Sequence, residues 1–146
     1  MTKKVTIFLR LFSVVLLFMN CSSGEEKAVK GSIVFEKLTF EKAIAKAKLE
    51  HKVVFIDAFA TWCGPCKQLS KKTFTDKKVG DLFNAQFINV KIDVDEAEGK
   101  LFAEKFEINS IPTLLFFDQE GKLIHRIQGF YTPSELLKEA NKVIGK

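Results

Sequence analysis

The run "KVVFIDAFA" at residues 52–60 leaves this chain few architectures. It is nearly unbroken apolar sequence, as expected of a strand buried on both faces of a sheet with helices on either side. "TWCGPCK" follows at once, and Pro65 is tolerated only in the first turn of a helix. The spacing predicts a buried strand that turns sharply into a helix beginning at Cys63. Asp57 is the one acidic residue in the run and interrupts a strand expected to be buried; an aspartate simply at a strand end is the alternative.

The rest of the sequence supplies partners for that strand. "SIVFEKL" (32–38) reads as a short strand, and Thr39 then caps a helix whose apolar positions Phe40, Ala43, Ile44 and Ala47 share one face. "DKKVGDLFNA" reads as helical. "FINVKIDVD" (87–95) alternates, with Ile88, Val90, Ile92 and Val94 on one side and Asn89, Lys91 and Asp93 on the other. "EAEGKLFAEKF" is an amphipathic helix, and "TLLFFDQEGKLIHRIQG" (113–129) a hairpin turning at Gly121. "TPSELLKEANKVIGK" opens with Thr132 as cap, Pro133 as first helical residue and Glu135 closing a capping box. The order βαβαβαββα predicts an α/β domain over residues 33–146, a central mixed sheet flanked by helices on both faces.

The N-terminus has a different character. Lys3 and Lys4 precede an uncharged apolar run at residues 11–19, and polar residues follow from Asn20. The run falls well short of the ~20 residues that span a bilayer, and Arg10 interrupts any longer one. Residues 1–20 are therefore read as a signal peptide that takes the chain out of the cytoplasm. Cys21, next in line, resembles the acylated cysteine of bacterial lipoproteins, although Phe18 and Asn20 stand where that family favours a leucine and a small residue. An ordinary signal peptide, or an uncleaved anchor, with Cys21 incidental is the alternative. Residues 21–32 read as a polar tether. The formal charge of +5 includes Lys3, Lys4 and Arg10, so the mature chain keeps about +2. Nothing in that balance calls for nucleic acid, and the chain is read as a monomer.

Three cysteines are too few for a disulfide-stapled scaffold. A zinc site needs about four ligands, and His51 and His125 each stand alone. A permanent bridge between Cys63 and Cys66 would close too short a loop to remove much chain entropy. A helix N-terminus favours a thiolate, so the pair reads as reactive, with Cys63 the exposed nucleophile and Cys66, one turn in, the buried resolving thiol. Asp57, buried in its strand, should have a raised pKa and could take the proton that Cys66 loses. Lys91 on the neighbouring strand could pair with it or be simply solvated. Pro112, just before a strand, implies a tight turn, with a cis Ile111–Pro112 bond as one way to make it.

"WCGPCK" is similar to the active site of the thioredoxin-like superfamily. Asp57, Lys91, Pro112 and Gly129 match that family in order and spacing, over roughly residues 33–146. The resemblance implies a thioredoxin fold and a thiol–disulfide oxidoreductase whose redox group is the Cys63–Cys66 disulfide, with no metal and no other cofactor. It implies that Trp62, Gly64 and Pro65 support the motif, that Pro112 is cis, and that Ile111 helps select substrates. Phe59 departs from the pattern, where thioredoxins usually have a second tryptophan. "KKTFTDKKVGDLF", "FFDQEGK" and "GFYTPSELL" resemble the exported C-terminal domains of the transmembrane thiol–disulfide interchange protein. The implied role is reduction of disulfides in client proteins on the outer, periplasmic side of a membrane. Cys21 would anchor the chain there, and a separate membrane electron donor would recharge it. Gly64-Pro65 leans toward the reducing members; a disulfide oxidase or isomerase, or an electron donor to a peroxidase or to cytochrome c or metalloprotein maturation, is the alternative.

Overall fold

A computed structural model describes residues 31–144. The elements run α1 (Phe40–Glu50), β1 (Val53–Phe59), α2 (Gly64–Gln68), a π-helical turn (Leu69–Thr73), α3 (Lys77–Gln86), β2 (Phe87–Asp93), α4 (Ala97–Lys105), β3 (Thr113–Phe117), β4 (Leu123–Gln128) and α5 (Pro133–Asn141). The four strands form one sheet in the order β2-β1-β3-β4. β1 pairs parallel with β2 and antiparallel with β3, and β3 with β4 is the hairpin. The sheet is mixed, as the sequence predicts, with "KVVFIDAFA" as an inner strand.

Alternation along β1 divides the interior into two layers. Val54, Ile56 and Ala58 pack with Ile88, Val90, Leu115 and Phe117 against α1 and α4, through Phe40, Ala43, Ala47 and Phe102. Phe55 faces the opposite way and packs with Leu114, Phe116 and Phe87 against Leu69, Phe83, Leu136 and Ala140 of the π-helical turn, α3 and α5. Phenylalanine side chains contribute to both layers; the Phe55 and Phe83 rings meet edge to face at 4.7 Å. Helix ends follow the sequence signals. Thr39 caps α1, Asp76 caps α3, and Thr132 with Glu135 forms the capping box of α5. α4 presses against the end of β2 at Gly99, where a Cβ would fall 1.8 Å from the Asp93 carbonyl oxygen. Among the described residues no helix is long and apolar enough to cross a membrane.

One expected strand does not form. Residues 32–38 make only an isolated parallel bridge, Glu36 to Val90. Other partners take the ladder's place upstream of it: the Asn84 side chain accepts from Val34 N–H at 2.8 Å and donates to Ser32 O at 2.9 Å, and Ile33 N–H donates to the backbone oxygen of Phe74 at 2.8 Å. Asn89, buried inside β2, donates to Phe83 O and Val34 O. The segment therefore lies along the α3 side of the sheet edge instead of extending it. The expected signal peptide at residues 1–20 and Cys21 lie outside the described residues.

Candidate functional site

The site lies where β1 ends. Its chain leaves the sheet at Phe59, turns through Ala60, and enters α2 with Cys63 as N-cap. The cap acceptor is the sulfur itself: Cys66 N–H donates to Cys63 Sγ at 3.2 Å. A sulfur in that position receives a backbone donor and the positive end of the helix, both of which favour negative charge on it. Cys63 and Cys66 are joined as a disulfide.

Cys63 is not the exposed member that position alone suggests. In the disulfide Cys63 is 3% and Cys66 2% exposed. Both sulfurs sit in a small apolar cluster with Ala60, against Phe59, Val94 and Ile111. The surface of the motif belongs to its neighbours: Trp62, Gly64 and Pro65 are exposed. Trp62 is held there by its indole N–H, which donates to Asp95 Oδ2 at 2.7 Å. Sequence reasoning missed Asp95. The available signal was topological, because parallel β1 and β2 end side by side and a residue just past β2 must lie beside the loop after β1.

Ile111–Pro112 is a cis peptide bond. The loop is fixed at both sides: Pro112 O accepts from Gly129 N–H at 2.8 Å, and Thr113 Oγ1 donates to Ser110 O at 2.7 Å. Gly129 has φ +90°, a conformation that favours glycine, at the point where β4 leaves the sheet. This arrangement brings Ile111 onto the disulfide cluster.

Asp57 lies in the middle of the sheet and is fully buried. Register places it directly opposite Lys91 on β2, and the Lys91 ammonium closes onto Asp57 Oδ2. The other oxygen, Oδ1, is buried with no hydrogen-bond partner among the described residues. Burial pushes the Asp57 carboxyl above the usual range, and the Lys91 charge opposes that only in part. Lys91 is not a solvated lysine. Its ammonium stands 4.5 Å from the Phe59 ring, 4.9 Å from Phe35 and 5.2 Å from Phe74, and donates to Ser70 Oγ at 3.3 Å. Phe59, the departure from the thioredoxin pattern, is thus one wall of the ammonium's cage. A pocket of about 260 Å³ shares Phe59 and Ser70 with the surroundings of the Lys91 ammonium and is lined also by Cys66, Lys67 and Lys71.

Among the described residues no group of three or more His, Cys, Asp or Glu side chains could hold a metal ion. His125 pairs with Glu139 at 2.6 Å, and His51 ends α1 in the left-handed conformation.

Comparison with known proteins agrees with this geometry. The thioredoxin-like domain family matches residues 40–144. The thiol:disulfide interchange protein DsbD of Pseudoalteromonas atlantica is 30% identical over 97% of this chain and 26% of its own length. That of Haemophilus influenzae is 32% identical over 75% of this chain and 20% of its own. The chain therefore spans a fifth to a quarter of the length of these curated relatives. Among solved structures, a "putative disulphide-isomerase" from Bacteroides thetaiotaomicron superposes with TM-score 0.69 at 39% identity, covering 82% of this chain and 99% of that one. A thioredoxin from Thermus thermophilus gives TM-score 0.70 at 25% identity, over 79% and 89%. With its fold, its cis-proline loop and its Cys63–Cys66 disulfide in place, the chain belongs to the thioredoxin-like family, as a thiol–disulfide oxidoreductase of that fold.

Proposed function

We propose that this protein is an exported, membrane-anchored reductase of disulfides in client proteins, recharged by a membrane electron donor. The observation that carries the proposal is the Cys63–Cys66 disulfide at the N-cap of α2, with the Cys63 sulfur receiving a backbone N–H. In the reduced protein the Cys63 thiolate attacks a client disulfide. A mixed disulfide forms, and one client thiolate leaves and takes a proton from water. The Cys66 thiol then passes its proton to Asp57, and its thiolate attacks the Cys63 sulfur. The second client thiolate leaves, so two electrons have moved to the client and the Cys63–Cys66 bond is restored. A donor dithiol reverses the sequence. No group beyond the two sulfurs carries the electrons.

Asp57 suits the proton step because burial disfavours its charge, which makes it a stronger base than an exposed carboxylate. Ile111 and the exposed Trp62 border the disulfide and form the face on which a client strand would be read. The likeness to a protein described as a disulphide-isomerase supports a second reading, in which the same exchange reshuffles client disulfides. Export and anchoring rest on the N-terminal sequence and on the similarity to DsbD proteins.

A Cys66→Ser variant stops the cycle at the mixed disulfide. It should accumulate client adducts on Cys63 that reductant releases, and the Cys63→Ser variant should accumulate none. Equal recovery from both variants would defeat the assignment of nucleophile and resolving thiol.

Asp57→Asn should slow turnover near pH 7 by about 10²-fold, the low end of a general base's contribution. It should also change how stability responds to pH. A carboxyl whose pKa is raised on folding favours the native state below its unfolded value, about 3.9, and loses that advantage as pH rises through the folded value. The stability of oxidised Asp57→Asn relative to wild type should therefore climb as pH rises above about 4, by at most ~1.4 kcal/mol per pH unit. Denaturation midpoints at a series of pH values read this; a flat or falling difference contradicts a raised Asp57 pKa.

The mass of the mature N-terminus reads the anchor. Acyl chains on Cys21 support it, whereas an intact residue 1–20 segment or an unmodified Cys21 overturns it.

A further inference from the structure

Ser70 has no place in the thiol chemistry described above, yet it stands between its two halves. It lies in the π-helical turn Leu69–Thr73, where Phe74 N–H donates to Leu69 O, five residues back, at 2.9 Å. Such a turn inserts a residue into a helix and swings the following side chains relative to a regular α-helix. Here it leaves Ser70 bordering two pockets. One, of about 260 Å³, is shared with Cys66 and Phe59; the other, of about 230 Å³, is shared with Lys91, Phe35 and Phe74.

The Lys91 ammonium has three protons to place. One goes to Asp57 Oδ2 and one to Ser70 Oγ, at 3.3 Å. The three aromatic rings attract the charge but fix no direction for its N–H bonds. Lys91 is 26% exposed, so its long side chain has solvent within reach as an alternative. Other charged groups stand around the pair. Lys67 and Lys71 line the Cys66 pocket from the α2 side, and Asp93, Glu96 and Glu98 share a groove with Lys91 at the start of α4. Glu36, on the strand-edge segment, is engaged by Lys46 at 2.6 Å. The groove gives Lys91 an acidic, solvent-facing alternative to Asp57, whereas the Ser70 hydroxyl is a hydrogen-bond partner beside Asp57.

We infer that Ser70 is a positioning residue whose hydroxyl holds the Lys91 ammonium on Asp57 and so sets the pH range over which Cys66 is activated. The inference rests on the proposed proton transfer from Cys66 to Asp57. Without the hydroxyl, Lys91 spends more time in solvent, and Asp57 keeps its charge only at higher pH.

The test is the pH–rate profile for reduction of a protein disulfide such as insulin, from pH 5 to 9, for wild type, Ser70→Ala, Ser70→Thr and Asp57→Asn. Ser70→Ala should move the acid limb upward by roughly 0.5–1 pH unit, within the range a nearby opposite charge commands. That corresponds to a roughly 3- to 10-fold loss on the limb, with the rate at pH 9 unchanged, and Ser70→Thr should return the limb toward wild type. A Ser70→Ala profile that superimposes on wild type, or that falls equally at every pH, overturns the inference while Asp57→Asn still removes the limb. If Asp57→Asn itself leaves the profile unchanged, the proton-transfer reading beneath it fails instead.

Discussion

A carboxylate in the middle of an inner strand is the constraint around which the structure is arranged. Asp57 is sealed from solvent, and an isolated charge there would cost several kcal/mol. Lys91 answers that charge only because β1 and β2 pair in the register that sets them opposite each other. A slip of one residue would carry Lys91 to the other face of the sheet and leave Asp57 alone. Strand register and proton chemistry are thus one specification. Both layers of the core hold that register, Val54, Ile56 and Ala58 on one side and Phe55 on the other. The aromatic rings at 35, 59 and 74 then keep the ammonium from being fully hydrated.

The disulfide depends on the same strand. β1 delivers Cys63 to the N-cap of α2, and its two neighbours deliver the walls. β2 runs parallel and ends beside it, bringing Asp95 to Trp62 and Val94 to the sulfurs. β3 runs antiparallel and begins there, so the Ile111–Pro112 loop arrives from the other side, tied to Gly129 at the end of β4. Asp57, four residues before the end of the motif's lead-in at Thr61, sits inside the sheet that all of these loops leave. Fixed positions of several loops around one bond suit exchange chemistry, in which three sulfurs must align.

Much of this was legible in the sequence because it rests on local pattern. The apolar run at 52–60, the alternation at 87–95, Pro65 after Cys63 and the Thr132–Glu135 box each state their own structure, and the elements follow. The pairing of Asp57 with Lys91 was legible too, since adjacent parallel strands align such residues. Residues 32–38 were misread because their apolar content resembles a strand, whereas the side chains of Asn84 and Asn89 take up several of the segment's backbone groups. A sequence does not announce that an amide on a helix will replace a ladder. The burial of Cys63 depends on Ile111 and Val94 closing over the bonded sulfurs, a tertiary fact. Ser70 and Asp95 were invisible for a similar reason. "KQLSKKTF" reads as an ordinary helix, and only the π-helical turn gives its serine a partner on β2.

The direction of electron flow is the point on which sequence and fold leave the widest chemical range. Proteins of comparable architecture span about −270 to about −120 mV, and ~30 mV is worth ~1.4 kcal/mol, so a few interactions at the sulfurs decide it. Here Gly64 and Pro65 separate the cysteines with no charged group between them, and the Cys63 sulfur takes its cap bond from Cys66 N–H. Equilibration of the Cys63–Cys66 pair against a glutathione buffer measures the outcome directly. A reductase of client disulfides should give a potential toward the reducing end, nearer to about −270 mV. A value close to about −120 mV would mean that the protein delivers disulfides, and would contradict the account.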